Sequence, residues 1–154
     1  MIYFDSSALV KRYIKEKGTD IVHSLTARGE AVATSKLTYP EILSAFMRKR
    51  REGDLKPESL QSVIAQLEND WGELLIVGLN DELFPLVKSL IQKHRLKAAD
   101  SIHLASALWL AETAKADVVF IASDETLLSA AKNENLEVIN PSPRSSIPAS
   151  RLLR

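Results

Sequence analysis

Four acidic residues of a kind that binds divalent cations recur along the chain: Asp5, Glu41, Asp100 and Asp124. Asp5 and Asp124 each follow a short apolar segment, whereas Glu41 and Asp100 each lie near the start of a longer amphipathic one. Oxygen-only ligands favour Mg²⁺ or Mn²⁺, and such an ion activates water and neutralises the charge of a phosphate. If the fold gathers the four carboxylates, the chemistry they favour is metal-dependent phosphodiester hydrolysis.

Each of these acids also has a purely structural interpretation. Asp5 and Asp124 could cap helices by accepting hydrogen bonds from first-turn amides. Glu41 could complete a capping box with Thr38, and Asp100 could cap its helix or favour the positive end of the helix dipole. For any one acid alone the structural interpretation is preferred. The functional interpretation therefore depends on whether the four lie together.

The elements that must position these acids are visible as short apolar segments alternating with longer amphipathic ones. The predicted strands are residues 1–4, 31–33, 74–77, 118–122 and 137–139. The predicted helices are residues 6–17, 19–28, 36–52, 57–72, 80–95, 98–115 and 125–134. Because strands separated by helices form right-handed crossovers, this pattern predicts an α/β fold with a parallel sheet.

Such a topology would bring all four acids to one edge of the sheet. A helix that follows a strand begins at the carboxyl edge, which applies to Asp5, Glu41 and Asp124. The helix of Asp100 precedes the fourth strand and runs antiparallel to it, so its start lies at the same edge, where open α/β sheets bind ligands. Two carboxylates about 5 Å apart repel by roughly 3 kcal/mol at an effective dielectric near 20. The cluster therefore predicts either a bound cation or protonation of some of the acids.

Composition limits the class of protein further. The chain has 154 residues, the length of one domain, and is 45% hydrophobic, which excludes a disordered polyelectrolyte. Its 20 Lys and Arg balance its 20 Asp and Glu, so nucleic acid would have to be bound through a local basic patch. There is no cysteine for a thiolate nucleophile. No membrane segment or signal-peptide pattern is found, so a cytoplasmic location is expected.

The segments around the four acids resemble those of the PIN-domain nucleases, and among them the VapC-type ribonuclease toxins of toxin–antitoxin pairs. The matching segments are residues 2–10, 35–41, 99–107, 120–124 and 136–141. Their order and spacing agree across residues 1–141, which we interpret as one PIN-like nuclease domain. The stretch from Asn140 onward contains the closely spaced Pro141 and Pro143 and shows no periodicity, and residues 142–154 are predicted to form an extended tail.

The resemblance implies a three-layer α/β/α fold whose five-stranded parallel sheet has the order 3-2-1-4-5. It implies that Asp5, Glu41, Asp100 and Asp124 surround Mg²⁺ or Mn²⁺ and that the protein cleaves RNA. It also implies a homodimer and inhibition by a small cognate antitoxin protein. In one departure, Ala122 replaces the Thr or Ser that many relatives have two places before the last acid.

Two serines and one histidine lie next to the candidate ligands. Ser6 or Ser7 could hydrogen-bond Asp5 or a metal-bound water, or could simply begin a helix. His103 lies three residues after Asp100, on the same helix face. A structural or substrate-side role for His103 is favoured over metal ligation, since the second copy of such a motif that di-iron bundles require is missing.

Basic residues suggest where RNA would lie. The run at residues 48–51 ends a helix some 10 to 15 Å along the axis from Glu41. Lys11, Arg12 and Lys15 are closer to Asp5 in sequence and are therefore the better candidates for an RNA-facing surface.

Three alternatives remain open at this point. An RNA-processing nuclease without an antitoxin would share the same site, and a small DNA-binding protein encoded immediately upstream would argue against it. A receiver-like phosphorylation switch fits poorly, because Ser6 follows Asp5 where a second acid is needed and Pro141 stands near the place of a lysine. An inactive RNA- or protein-binding module of the same fold would not need to retain all four acids.

Overall fold

Five short parallel strands form one sheet within residues 1–144, the part of the chain that the computed structural model describes. The strands are β1 (Ile2–Phe4), β2 (Val32–Ser35), β3 (Leu75–Val77), β4 (Val119–Ile121) and β5 (Glu137–Ile139). Their order is β3-β2-β1-β4-β5, and every neighbouring pair is parallel. The predicted sheet, with order 3-2-1-4-5, is therefore confirmed.

Helices connect the strands. Within residues 1–144 they are α1 (Ser6–Leu9), α2 (Thr19–Thr26), α3 (Thr38–Glu52), α4 (Leu60–Trp71), α5 (Phe84–His94), α6 (Ala98–Ala114) and α7 (Glu125–Asn133). Short 3₁₀ turns occur at Val10–Arg12, Pro57–Ser59 and Asp81–Leu83. In the described part of the chain no helix combines the length and the hydropathy needed to cross a membrane.

The first helix is shorter than the predicted helix over residues 6–17. Helical structure ends at Arg12, and a loop leads to α2. Within this loop the backbone N–H of Glu16 donates to the hydroxyl of Thr19 at 3.0 Å. Gly18 has a φ of 97°, a left-handed conformation in which glycine alone is unstrained. The prediction is wrong beyond Arg12, because the sequence contains no helix-breaking residue between Arg12 and Gly18 that would indicate the earlier end.

Apolar side chains fill both faces of the sheet and create three layers. In β1, Ile2 and Phe4 join the core formed with α1 to α4, whereas Tyr3 joins the core formed with α5 to α7. All three side chains are essentially inaccessible to solvent. Because β1 is the central strand, its carboxyl end delivers Asp5 into the middle of the sheet edge.

The chain after β5 returns to the loop that precedes α2. A Cβ atom built on Gly18 would lie 2.7 Å from the carbonyl oxygen of Pro141, and the Lys17 ammonium donates to the carbonyl of Pro143 at 2.6 Å. Of the predicted tail at residues 142–154, only residues 142–144 are described, and the rest lies outside the described residues.

Replacing Gly18 by Ala is expected to destabilise the protein by about 2–3 kcal/mol. The new methyl group would be strained at positive φ and would also collide with backbone that cannot rotate away. Gly53→Ala is the matched control, because Gly53 has a φ of 84° and nothing within 4 Å of its added Cβ. We expect it to lose only about 1 kcal/mol, as measured by urea unfolding. Equal losses in the two variants would contradict the described packing of Pro141 on this loop.

Candidate metal centre

Asp5 lies at the carboxyl end of β1 and is almost completely buried, with 3% of its surface exposed. Its backbone N–H donates to the carbonyl of Ile121 at 3.0 Å, which continues the pairing of β1 with β4. Its Oδ1 accepts from the N–H of Ala8 at 2.9 Å, and the Ser7 hydroxyl lies 2.8 Å from both carboxylate oxygens. Asp5 therefore caps α1, as its structural interpretation predicts, while its carboxylate stays at the sheet edge.

The negatively charged form of the Asp5 carboxylate is unfavourable in this position. Burial raises the pKa of Asp5 from 3.8 to about 6, and the charge of Asp100 adds to the increase. The imidazole of His103, the Ser7 hydroxyl and the Ala8 N–H oppose this change in pKa without cancelling it. A negative charge on Asp5 is thus costly unless a cation accompanies it.

Glu41 lies in the first turn of α3, but the capping box predicted for it with Thr38 is wrong. The helix begins at Thr38 without a side-chain cap. The buried Thr38 hydroxyl instead lies 2.6 Å from that of Thr34 in β2. Glu41 Oε1 accepts a hydrogen bond from His103 Nε2 at 2.6 Å. The carboxylate of Glu41 is therefore held by α6 and not by its own helix.

Asp100 lies in the first turn of α6 and interacts electrostatically with each of the other three acids. Burial raises the pKa of Asp100, and the charges of Asp124 and Glu41 raise it further, while His103 and Lys97 lower it. Its carboxylate accepts no hydrogen bond from any residue in 1–144, so it caps nothing. The predicted cap is therefore wrong for Asp100, whereas its place in the first turn of α6 agrees with the predicted interaction with the helix dipole.

Asp124 is the N-cap of α7 and is exposed. Its Oδ1 accepts from the N–H of Leu127 at 2.8 Å. It is therefore both a helix cap, as its structural interpretation predicts, and a neighbour of Asp100. The structure thus brings all four acids to the carboxyl edge of the sheet.

These residues fit a hard divalent cation in their chemistry. Among residues 1–144 no group of three or more His, Asp and Glu side chains stands in an arrangement that could hold a metal ion. Within that range, however, Glu41 Oε2, Asp124 Oδ2 and both oxygens of Asp100 accept no hydrogen bond. Because a cation would remove the cost of charging Asp5 and Asp100, an all-oxygen site of this kind suits Mg²⁺ or Mn²⁺.

The two candidate serines differ in what they contact. Ser7 connects Asp5 to the segment that follows β4, since its hydroxyl oxygen also accepts from the N–H of Ser123 at 3.3 Å. The Ser123 hydroxyl in turn accepts from that of Ser142 at 3.3 Å. Ser6 makes no side-chain hydrogen bond with a described residue, so its role beside an ion stays a prediction.

The basic residues are placed differently from the prediction. Lys11 is buried and forms an ion pair with Glu16 at 2.9 Å, and Arg12 forms one with Asp70 at 2.6 Å. The RNA-facing interpretation is wrong for Lys11 and is weakened for Arg12, because acids of the chain already engage both. Lys15 is exposed and stays a candidate.

Lys97 is a basic residue that the sequence interpretation missed. It is exposed, stands immediately before α6, and lowers the pKa of Asp100. The sequence contained one signal for this residue: Lys97 lies three residues before Asp100, and residues three apart share one face of a helix.

Comparison with known proteins identifies clear relatives. The family model described as PIN domain matches residues 2–133. The chain is similar to Ribonuclease VapC45 and Ribonuclease VapC49 of Mycobacterium tuberculosis, with 35% identity to each over 112 residues, which is 70% of this chain and 75% of each relative. Its fold is similar to that of a toxin–antitoxin complex from Klebsiella pneumoniae, with a TM-score of 0.63 and 16% identity over 92% of this chain and 98% of the other.

Proposed function

Because this chain belongs to the PIN-domain family, we propose that it is a divalent-metal-dependent endoribonuclease acting as the toxin of a toxin–antitoxin pair. The observation that carries the proposal is that Asp5, Glu41, Asp100 and Asp124 all lie at the carboxyl edge of one parallel sheet, where burial and neighbouring acids raise the pKa of Asp5 and of Asp100. The two relatives at 35% identity are named ribonucleases, which supports RNA as the substrate.

The proposed site assigns separate tasks to the four acids. Asp5, Glu41 and Asp100 would hold the main Mg²⁺ or Mn²⁺, directly or through water. When bound, the ion supplies Lewis-acid chemistry, since it lowers the pKa of water and neutralises phosphate charge. Asp124, the exposed member with Oδ2 free, would contribute to a second ion or orient the attacking water.

The surrounding residues keep the carboxylates in place. Ser7 and the N–H of Ala8 fix Asp5, so that its charged form is oriented before the substrate arrives. Hydrolysis in which water attacks the phosphorus and the 3′-oxygen leaves would yield a 5′-phosphate and a 3′-hydroxyl. No side-chain nucleophile is required for such a reaction.

Two exposed lysines, Lys97 and Lys15, are the proposed contacts with the RNA backbone. Lys97 stands next to Asp100, and Lys15 belongs to the loop after the Val10–Arg12 turn. Because the protein has no net charge, its affinity for RNA would depend on such local cations.

The proposed partner is a small cognate antitoxin protein, and the proposed assembly is a homodimer that acts on RNA in the cytoplasm. Support for the antitoxin comes from the relatives, which are named VapC ribonucleases, and from the fold shared with a toxin–antitoxin complex.

Removing divalent ions is expected to stop RNA cleavage. With purified wild-type protein and a single-stranded RNA substrate, EDTA should lower the rate to about 1% or less, because several kcal/mol of charge stabilisation would be lost. Adding excess Mn²⁺ should restore it. Gel analysis of end-labelled RNA measures both rates. Cleavage that continues unchanged in EDTA would exclude the proposed chemistry.

A further inference from the structure

A buried chain of hydrogen bonds runs from the centre of the sheet to Glu41. The hydroxyl of Tyr3 in β1 lies 3.1 Å from Nδ1 of His103, and Nε2 of His103 lies 2.6 Å from Glu41 Oε1. His103 is 1% exposed, whereas the Glu41 side chain is 30% exposed. These hydrogen bonds therefore connect the buried core to a side chain that is partly exposed at the surface.

The tyrosine at the inner end of this chain is fixed by packing. The ring of Tyr3 is stacked on that of Phe120, with centroids 5.5 Å apart and planes inclined by 7°. It meets the ring of His103 edge-on, with centroids 6.3 Å apart. The imidazole is therefore oriented by the core as well as by its hydrogen bonds.

The partners of His103 also determine where its hydrogens lie. A carboxylate oxygen only accepts hydrogen bonds, so Nε2 carries the hydrogen that is donated to Glu41. When His103 is neutral, Nδ1 accepts from the hydroxyl of Tyr3, and when it is protonated, Nδ1 donates to the Tyr3 oxygen; in both states Nε2 donates to Glu41. Both ring nitrogens are thus occupied by groups of the protein, and neither is left to bind a metal ion.

We propose that His103 is a positioning residue that holds Glu41 Oε1 and leaves Oε2 directed to a divalent cation. This inference rests on the proposed function, because it assumes that Glu41 is a ligand. A glutamate at the surface loses considerable rotamer freedom when it binds an ion. The hydrogen bond from His103 removes part of that rotamer freedom before the ion binds. Groups that orient metal ligands in this way typically change metal affinity by 10- to 100-fold when they are removed.

A pair of amide variants tests this role. In His103→Gln the side-chain amide nitrogen can reach the place of Nε2 and donate to Glu41, whereas in His103→Asn it reaches only the place of Nδ1. We expect the dissociation constant for Mn²⁺, measured by the EPR signal of free Mn²⁺ without RNA, to rise about 10-fold or more in His103→Asn. In His103→Gln it should stay within about 3-fold of wild type.

A second histidine–glutamate pair provides the control. His94 Nε2 lies 2.5 Å from Glu134 Oε1, and Glu134 is about 15 Å along α7 from Asp124. His94→Asn breaks a similar pair and is expected to leave the affinity for Mn²⁺ unchanged. Equal weakening in His103→Asn and His103→Gln, or wild-type affinity in folded His103→Asn, would overturn the inference.

Failure of this inference can be distinguished from failure of the proposed function. If only the inference is wrong, wild-type protein binds Mn²⁺ and cleaves RNA, and Glu41→Gln weakens binding, but His103→Asn does not. If the function itself is wrong, Glu41→Gln does not alter Mn²⁺ binding and the wild-type protein does not cleave RNA. Should His103→Asn fail to fold, Tyr3→Phe replaces it, since it keeps the stacked ring and removes the hydroxyl. Unchanged Mn²⁺ affinity in folded Tyr3→Phe would then overturn the inference, and weakened affinity would support it.

Discussion

Replacing Asp100 by Asn should lower divalent-dependent RNA cleavage by at least about 1000-fold, equivalent to roughly 4 kcal/mol of transition-state stabilisation, while the protein stays folded. Asp100 interacts with all three of the other acids and caps no helix. The substitution therefore removes one charge from the centre of the proposed site at little cost to the fold. Single-turnover cleavage of a labelled RNA, together with the thermal unfolding midpoint, measures both parts of this expectation.

The control for Asp100→Asn lies on the same helix. Glu112→Gln makes the same change of charge in α6 about 18 Å along its axis, at an exposed position. Its cleavage rate should equal that of the wild type. If Asp100→Asn cleaved RNA as fast as Glu112→Gln, the proposed role of the four acids would be refuted.

Replacing Asp5 by Asn should stabilise the metal-free protein by about 2 kcal/mol at pH 8. The pKa of Asp5 is raised to about 6 in the folded protein from 3.8, and each pKa unit corresponds to about 1.4 kcal/mol. Because the folded pKa is the higher one, this group favours the fold fully below pH 3.8, and its contribution is lost as the pH rises through about 6. An asparagine keeps the acceptor for Ala8 N–H without the charge.

The pH dependence separates this effect from other changes. Urea unfolding in EDTA should show Asp5→Asn gaining over wild type as the pH rises from 4 to 8, with little difference at the lower limit. The exposed cap Asp124→Asn should change stability by less than about 0.5 kcal/mol at either pH. Saturating Mn²⁺ should reverse the order, because only the wild-type carboxylate gains from the ion. An Asp5→Asn variant less stable than wild type at pH 8 in EDTA would contradict this account.

The sheet could be predicted from the sequence because each strand corresponds to a short apolar run that is visible locally. Continuous apolar runs identify strands that are covered on both faces, and the resemblance supplied their order. The end of the first helix at Arg12 could not be predicted, since no glycine or proline lies between Arg12 and Gly18, and the loop that follows is packed against Pro141, more than 120 residues later. Local patterns contain no information about such a contact.

The candidate site was predictable to a similar extent. The edge at which the acids gather follows from topology alone. The partner of each acid does not, because Thr38 bonds Thr34 across to β2, and Glu41 bonds His103 from a helix 62 residues away. Likewise, the basic character of Lys11 and Arg12 is visible in the sequence, but their neutralisation by Glu16 and Asp70 depends on tertiary packing.

The central proposal is that Asp5, Glu41, Asp100 and Asp124, which lie at one edge of the sheet, together bind a divalent ion. A crystal structure of the protein soaked in Mn²⁺, with anomalous scattering used to locate the ion, tests it most directly. We expect Mn²⁺ to be bound by oxygens of at least three of these four carboxylates, directly or through one water molecule. Well-ordered carboxylates that leave saturating Mn²⁺ unbound, or an ion found only elsewhere on the protein, would contradict it.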